Sequence, residues 1–154
     1  MSDTTSPRFP IADGLVVVVK EDCATCRLVV PVIQQLRTGD LAIAVYVQDD
    51  PPFPPGIPVR HDADLSFSWH HDIETVPTLI RIVDGREVQR TVGWNRADWE
   101  LVTGIGSLGD GLPEFRPGCG SLSVDPDRVD RLRARFSGSV LTARRVDVAD
   151  AEDE

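Results

Sequence analysis

The chain has 154 residues, 41% of them apolar, and a formal net charge of −9. That length and apolar share suffice for one ordinary hydrophobic core. The acidic balance argues against nucleic acid or an anionic membrane as the main partner, because both select basic surfaces. Three cysteines in the whole chain are too few, and odd in number, for a secreted scaffold built on disulfides.

Residues 1–13 are rich in Ser, Thr and Pro and read as a flexible lead-in. They lack the basic-then-apolar pattern of a secretory leader, and no stretch is apolar for long enough to span a membrane, so a cytoplasmic location is expected. Residues 15–19 are an uninterrupted Leu-Val run suited to a strand covered on both faces. Residues 23–37 carry Leu28, Val29, Val32, Ile33 and Leu36 at helical spacing. Pro31 is expected to kink that helix and Gly39 to end it. A second strand follows over 41–47. The stretch 48–62 contains Pro51, Pro52, Pro54, Pro55 and Pro58 and reads as an exposed loop.

A short helix is expected over 63–71 and a third strand over 78–83. Asp84-Gly85 is a hairpin signal, with a return strand over 87–92. Asn95 suits the N-cap of a helix over 96–103. Strands and helices in this order predict an α/β fold: a mixed four-stranded sheet with helices on both faces, one parallel crossover and one antiparallel hairpin. The folded domain is placed at 14–104. A Gly-, Pro- and Ser-rich stretch then opens a C-terminal extension over 105–148, with one helix beginning at Asp125-Pro126 and running to about residue 136. A short strand over 140–148 and an acidic tail over 149–154 complete the reading.

The chemistry-bearing motif is Cys23-Ala24-Thr25-Cys26, set between the first strand and the first helix. Two cysteines at this spacing close and reopen a small disulfide ring. A helix N-terminus stabilises the thiolate that exchange requires. Cys23 stands there and is the candidate nucleophile, with Cys26, one turn on, as the resolving thiol. Glu21 and Asp22 are expected to raise the Cys23 pKa unless they point into solvent. Trp69, His70 and His71 either line a groove or are a half-exposed aromatic with surface imidazoles. Cys119 lies between two glycines and is a candidate third redox thiol, a point of intermolecular exchange, or an inert thiol in a turn. Cys23, Cys26, Cys119 and a histidine would give four metal ligands, but no second paired motif accompanies them and no metal is expected.

Five signals in order resemble the thioredoxin family. They are Cys23-Ala24-Thr25-Cys26-Arg27, Pro31 eight positions after the first cysteine, Val76-Pro77-Thr78, Asp84-Gly85 and Val92-Gly93. The resemblance spans residues 15–103 and implies a thioredoxin-like fold. It also implies that Pro77 is cis, and that Thr75, Val76 and Pro77 bound the substrate groove, with Trp69 beside them if it lines the groove. The chain departs from that pattern at Asp22, at Ala24-Thr25 and at Val17 and Val45, which replace a buried carboxylate and its basic partner. The family's first strand and helix are also lacking.

The expected function is thiol–disulfide oxidoreduction by a Cys23/Cys26 couple. The substrate is a protein or low-molecular-weight disulfide, a reductase or small thiol is the electron donor, and the redox-active disulfide stands in place of any cofactor. The alternative is a thioredoxin-like binding or assembly module with regulatory or vestigial cysteines.

Overall fold

The computed structural model describes residues 12–49 and 53–137. Strand β1 (Gly14–Val19) is buried along its whole length, as its unbroken apolar run demands. It lies at the centre of a five-stranded mixed sheet. On one side β1 runs parallel to β2 (Ile43–Val47), with Val17 opposite Val45. On the other it runs antiparallel to β5 (Thr78–Val83). β5 turns through Asp84 and Gly85 into β6 (Arg86–Val92), with a bulge at Arg81/Ile82. Asp84 and Gly85 both have positive φ, the geometry that a two-residue hairpin turn needs.

The fifth strand is β3 (Arg60–His61), two residues that pair in parallel with Tyr46 and Val47. The sheet is thus one strand wider than the four expected. The proline-rich segment lacks strand character until its last residues, so this edge strand is too short to leave a hydrophobic alternation.

The expected helix over 23–37 forms as two pieces, α1 (Ala24–Leu28) and α2 (Val30–Arg37). Pro31 cannot donate a backbone hydrogen bond to the preceding turn, and the break falls at Val29. Val32, Ile33 and Leu36 are fully buried in the core; removing an aliphatic side chain from such a place costs about 2–5 kcal/mol. Helix α3 (Ser66–His70) is shorter than its sequence signal, and Asp62 supplies its opening bonds by accepting from the Phe67 and Ser68 backbone N–H groups. Thr75–Val76 is a separate two-residue strand, β4, just before Pro77. A further strand, β7 (Trp94–Asn95), leads into α4 (Arg96–Thr103). Asn95 caps α4 by accepting from the Asp98 backbone N–H.

Beyond α4 the chain returns over the core. Leu108 is fully buried, as are Trp94 and Trp99, which meet edge to face with ring centres 5.4 Å apart. Arg96 holds the returning loop by donating to the carbonyl oxygens of Leu108, Gly109 and Leu112 and by pairing with Glu114. Two short strands follow. β8 (Phe115–Arg116) pairs with β7, and β9 (Cys119–Gly120) pairs antiparallel with β4. The 3-10 turn Leu122–Val124 then leads to α5 (Pro126–Leu132) and the π-helical turn Arg133–Ser137. The strand expected over 140–148 and the acidic tail lie outside the described residues. No described helix is long and apolar enough to cross a membrane.

Candidate functional site

Three elements converge on Cys23. It is the N-cap of α1, and its sulfur accepts the Cys26 backbone N–H at 3.2 Å. The same sulfur lies 3.7 Å from the Val76 carbonyl oxygen and 2.7 Å from the Cys119 sulfur. All three cysteines are free thiols; Cys23 and Cys26 are buried and Cys119 is partly exposed. Hydrogen bonds from the Cys26 thiol lower the Cys23 pKa to about 5, helped by Cys119 and the first-turn backbone N–H groups and opposed by burial. Burial pushes the Cys26 thiol up, and the neighbouring Cys23 sulfur pushes it further. Burial also raises the Cys119 thiol, with Cys23 again adding to the effect. The arrangement therefore favours the thiolate at Cys23 over one at Cys26 or Cys119.

Glu21 and Asp22 point their side chains into solvent, the arrangement in which they were expected to leave the Cys23 thiol alone. Both side chains are exposed, and their backbone N–H groups donate to the Asp49 carboxylate. The turn before Cys23 is tied from outside, and its own carboxylates stay in water. Val17 and Val45 are a buried cross-strand pair. The Cys26 sulfur instead accepts the Lys20 backbone N–H at 3.5 Å.

The peptide bond between Val76 and Pro77 is cis. Val76 is fully buried and Thr75 partly so, and their backbone forms the edge on which β9 lies. In that pairing Val76 is opposite Cys119 and Thr75 opposite Gly120. The Trp69 ring centre lies 6.2 Å from that of Phe136. His70 meets Phe136 at 5.2 Å and its Nδ1 is 2.7 Å from the Ser66 carbonyl oxygen. His71 stacks on Phe67 at 4.3 Å, and burial lowers its pKa to about 4.

The segment 116–123 is held by side chains from across the fold. The Thr25 hydroxyl donates to the Pro117 carbonyl oxygen at 2.6 Å and accepts from Arg116 Nε at 3.1 Å. Lys20 Nζ donates to the Gly120 carbonyl oxygen at 2.7 Å. Gln48, buried at the end of β2, donates to the Ser68 and Ser121 hydroxyls and accepts from the Leu122 backbone N–H. The Ser68 hydroxyl in turn donates to Asp62, a buried carboxylate whose pKa burial raises. Two glycines allow the close approach. A Cβ on Gly118 would fall 2.5 Å from the Val76 carbonyl oxygen, and one on Gly93 would fall 2.9 Å from the Gly118 nitrogen.

Sequence reasoning singled out Cys23, Cys26, Thr75, Val76, Pro77, Trp69 and Cys119; the fold brings Cys23, Cys26, Val76 and Cys119 together with Thr75 and Pro77 flanking Val76, and it sets Trp69 against Phe136. Sequence reasoning missed Thr25, Lys20, Gln48 and Arg116. A polar residue between the two cysteines, and a glutamine closing an apolar strand, were the available signals. Among the described residues no group of three or more His, Cys, Asp or Glu is placed to hold a metal ion.

Among solved structures the chain is similar to the reduced thioredoxin pre-protein of Schistosoma mansoni, with 24% identity over 53% of this chain and 68% of that one and a TM-score of 0.37. No protein-family model and no curated protein matches the chain. The architecture is mixed α/β, built on a five-stranded mixed sheet.

Proposed function

We propose that the chain is a thioredoxin-like thiol–disulfide oxidoreductase in which Cys23 and Cys26 are the working couple. The observation that carries this reading is the Cys23 sulfur at the start of α1, accepting the Cys26 N–H at 3.2 Å, a place that favours the thiolate. The Cys23 thiolate attacks one sulfur of a disulfide R–S–S–R′, a Cys23–S–S–R bond forms, and R′S⁻ leaves with a proton from water. Cys26 then loses its proton, attacks the Cys23 sulfur and releases RS⁻, which takes up that proton. Two electrons pass from the dithiol to the substrate, and Cys23–Cys26 is left as a disulfide. A reductase or a small thiol restores it, and no further cofactor is needed because the sulfurs carry the electrons. The low Cys23 pKa supports the first attack, and the raised Cys26 pKa makes its deprotonation the slower event.

The substrate is a protein or low-molecular-weight disulfide met at the Thr75–Val76–Pro77 edge. Equilibration of the Cys119→Ser protein with thiol/disulfide buffers, followed by acid quench and alkylation, tests the couple. A reversible two-electron transition, lost in the Cys23→Ser/Cys119→Ser protein, is expected. A pair that stays reduced throughout, with a peptide disulfide left intact, would overturn the reading. A partner protein still held after both Cys23 and Cys26 become Ser would favour a binding module.

A further inference from the structure

The edge at Thr75–Val76 is already occupied, by the chain itself. β9 lies on it as an antiparallel strand, with Cys119 opposite Val76 and its sulfur 2.7 Å from that of Cys23. A disulfide bond is about 2.05 Å long, so bond formation asks for less than about 1 Å of approach. This placement is built by several independent contacts. Thr25 and Lys20 bind the carbonyl oxygens of Pro117 and Gly120 on either side of Cys119. Gln48 fixes Ser121 and Leu122 just beyond it. Gly118 leaves no room for any other residue before the cysteine. Cys23 thus has one thiol neighbour on its own helix and a second delivered across the substrate edge.

We propose that Cys119 is the chain's internal substrate cysteine, so that Cys23 forms a disulfide with either Cys26 or Cys119 and the two bonds interconvert within one molecule. This rests on the exchange chemistry proposed above. Starting from the reduced protein, Cys23–S⁻ attacks a small disulfide such as glutathione disulfide. A Cys23–glutathione bond forms and one glutathione leaves. Cys119 gives up its proton and attacks the Cys23 sulfur; the second glutathione leaves and takes that proton. The Cys23–Cys119 disulfide holds the oxidation that the small disulfide lost. Cys26 then attacks the Cys23 sulfur, and its proton passes to the departing Cys119. Cys23–Cys26 results, with no net change in electrons. Cys119 is the more exposed of the two partner sulfurs, so it also offers the oxidised protein a point of contact with an external thiol.

The pattern also defines what an external peptide must look like to replace β9. It must be extended, and its cysteine must follow a glycine, because a side chain there meets the Val76 carbonyl oxygen and Thr75 Cγ2.

The test uses Cys26→Ser protein treated with glutathione disulfide, quenched in acid, alkylated, digested with trypsin and read by mass spectrometry. No Lys or Arg lies between Cys23 and Cys26, whereas many separate both from Cys119. A Cys23–Cys119 bond therefore joins two tryptic peptides. That joined peptide is expected as the main oxidised species, and Gly118→Ala added to the same protein should reduce its yield, with glutathione retained on Cys23 in its place. In the Cys26→Ser protein itself, glutathione retained on Cys23 with Cys119 as a free thiol, or joined peptides found only between two molecules, would overturn the proposal. In the wild-type protein, a poised glutathione buffer should show both disulfides together. The Cys119→Ser titration reports on the Cys23/Cys26 couple separately, so failure of one result does not imply failure of the other.

Discussion

The Thr25 hydroxyl, between the two cysteines of the motif, donates to the Pro117 carbonyl oxygen at 2.6 Å. This bond joins residues 92 positions apart and seats the return segment over the thiol pair. Thr25→Val keeps the shape and removes both the donor and the acceptor used by Arg116. Loss of a hydrogen bond of this kind is worth about 1 kcal/mol. The expected outcome is faster alkylation of Cys119 and Cys23 at pH 7, with the helix α1 signal in circular dichroism unchanged.

Gly118→Ala puts a methyl group where the Val76 carbonyl oxygen and Thr75 Cγ2 stand. Overpacking against backbone costs about 1–3 kcal/mol. We expect β9 to lift from β4, with hydrogen exchange at Cys119 and Gly120 speeding up while β1 and β5 stay protected. An external glycine-cysteine peptide disulfide should then be reduced faster than by the wild-type chain, because the edge is vacant more of the time.

Gln48→Leu strips three bonds from the buried network and leaves the Ser68 and Ser121 hydroxyls and the Leu122 N–H without that partner. The two hydroxyls keep Asp62 and Ser123 as partners, whereas the Leu122 N–H loses its acceptor, at a cost of about 1–3 kcal/mol if it stays out of water. A lower urea midpoint is expected, and limited proteolysis should open first between residues 113 and 124.

The reactivity of Cys23 should follow its own ionisation. With the pKa lowered to about 5, the thiolate is nearly complete at pH 7 and is lost as the pH falls through about 5. The rate of iodoacetamide alkylation at Cys23 should drop with that midpoint. A midpoint near the ordinary thiol value of about 8.5 would contradict the arrangement around its sulfur.

His71 gives the stability a second pH dependence. Burial lowers its pKa from 6.5 to about 4 in the fold. The unfolded chain therefore binds the proton first, and the contribution is fully present above about 6.5 and lost as the pH falls towards 4. The urea midpoint should decline over that window, and His71→Gln should flatten the decline.

Much of the central sheet was legible because its signals are local. The Leu-Val run of β1, the Asp84-Gly85 turn and the Asn95 cap each need only their neighbours in sequence. The cysteine pair and Val76-Pro77-Thr78 were legible for the same reason. What escaped was produced by contacts across the chain. Arg60–His61 becomes a strand only because β2 offers it an edge. Cys119–Gly120 becomes one only because Thr75–Val76 does the same. A two-residue strand carries no period to detect. Gln48 is polar in any sequence-based reading, and its burial follows from partners at positions 68, 121 and 122.

The spacing of the three sulfurs along the chain also sets what each bond does to the unfolded protein. Cys23 and Cys26 are three positions apart, and tying them hardly restricts a denatured chain. Cys23 and Cys119 are 96 positions apart, and a bond there would enclose most of the sheet in one ring. Closing a loop of that size removes about 4–5 kcal/mol of chain entropy from the unfolded state in the simplest account. The choice of partner at Cys23 would then set resistance to heat as well as the traffic of electrons, and oxidised Cys26→Ser protein should melt well above its own reduced form.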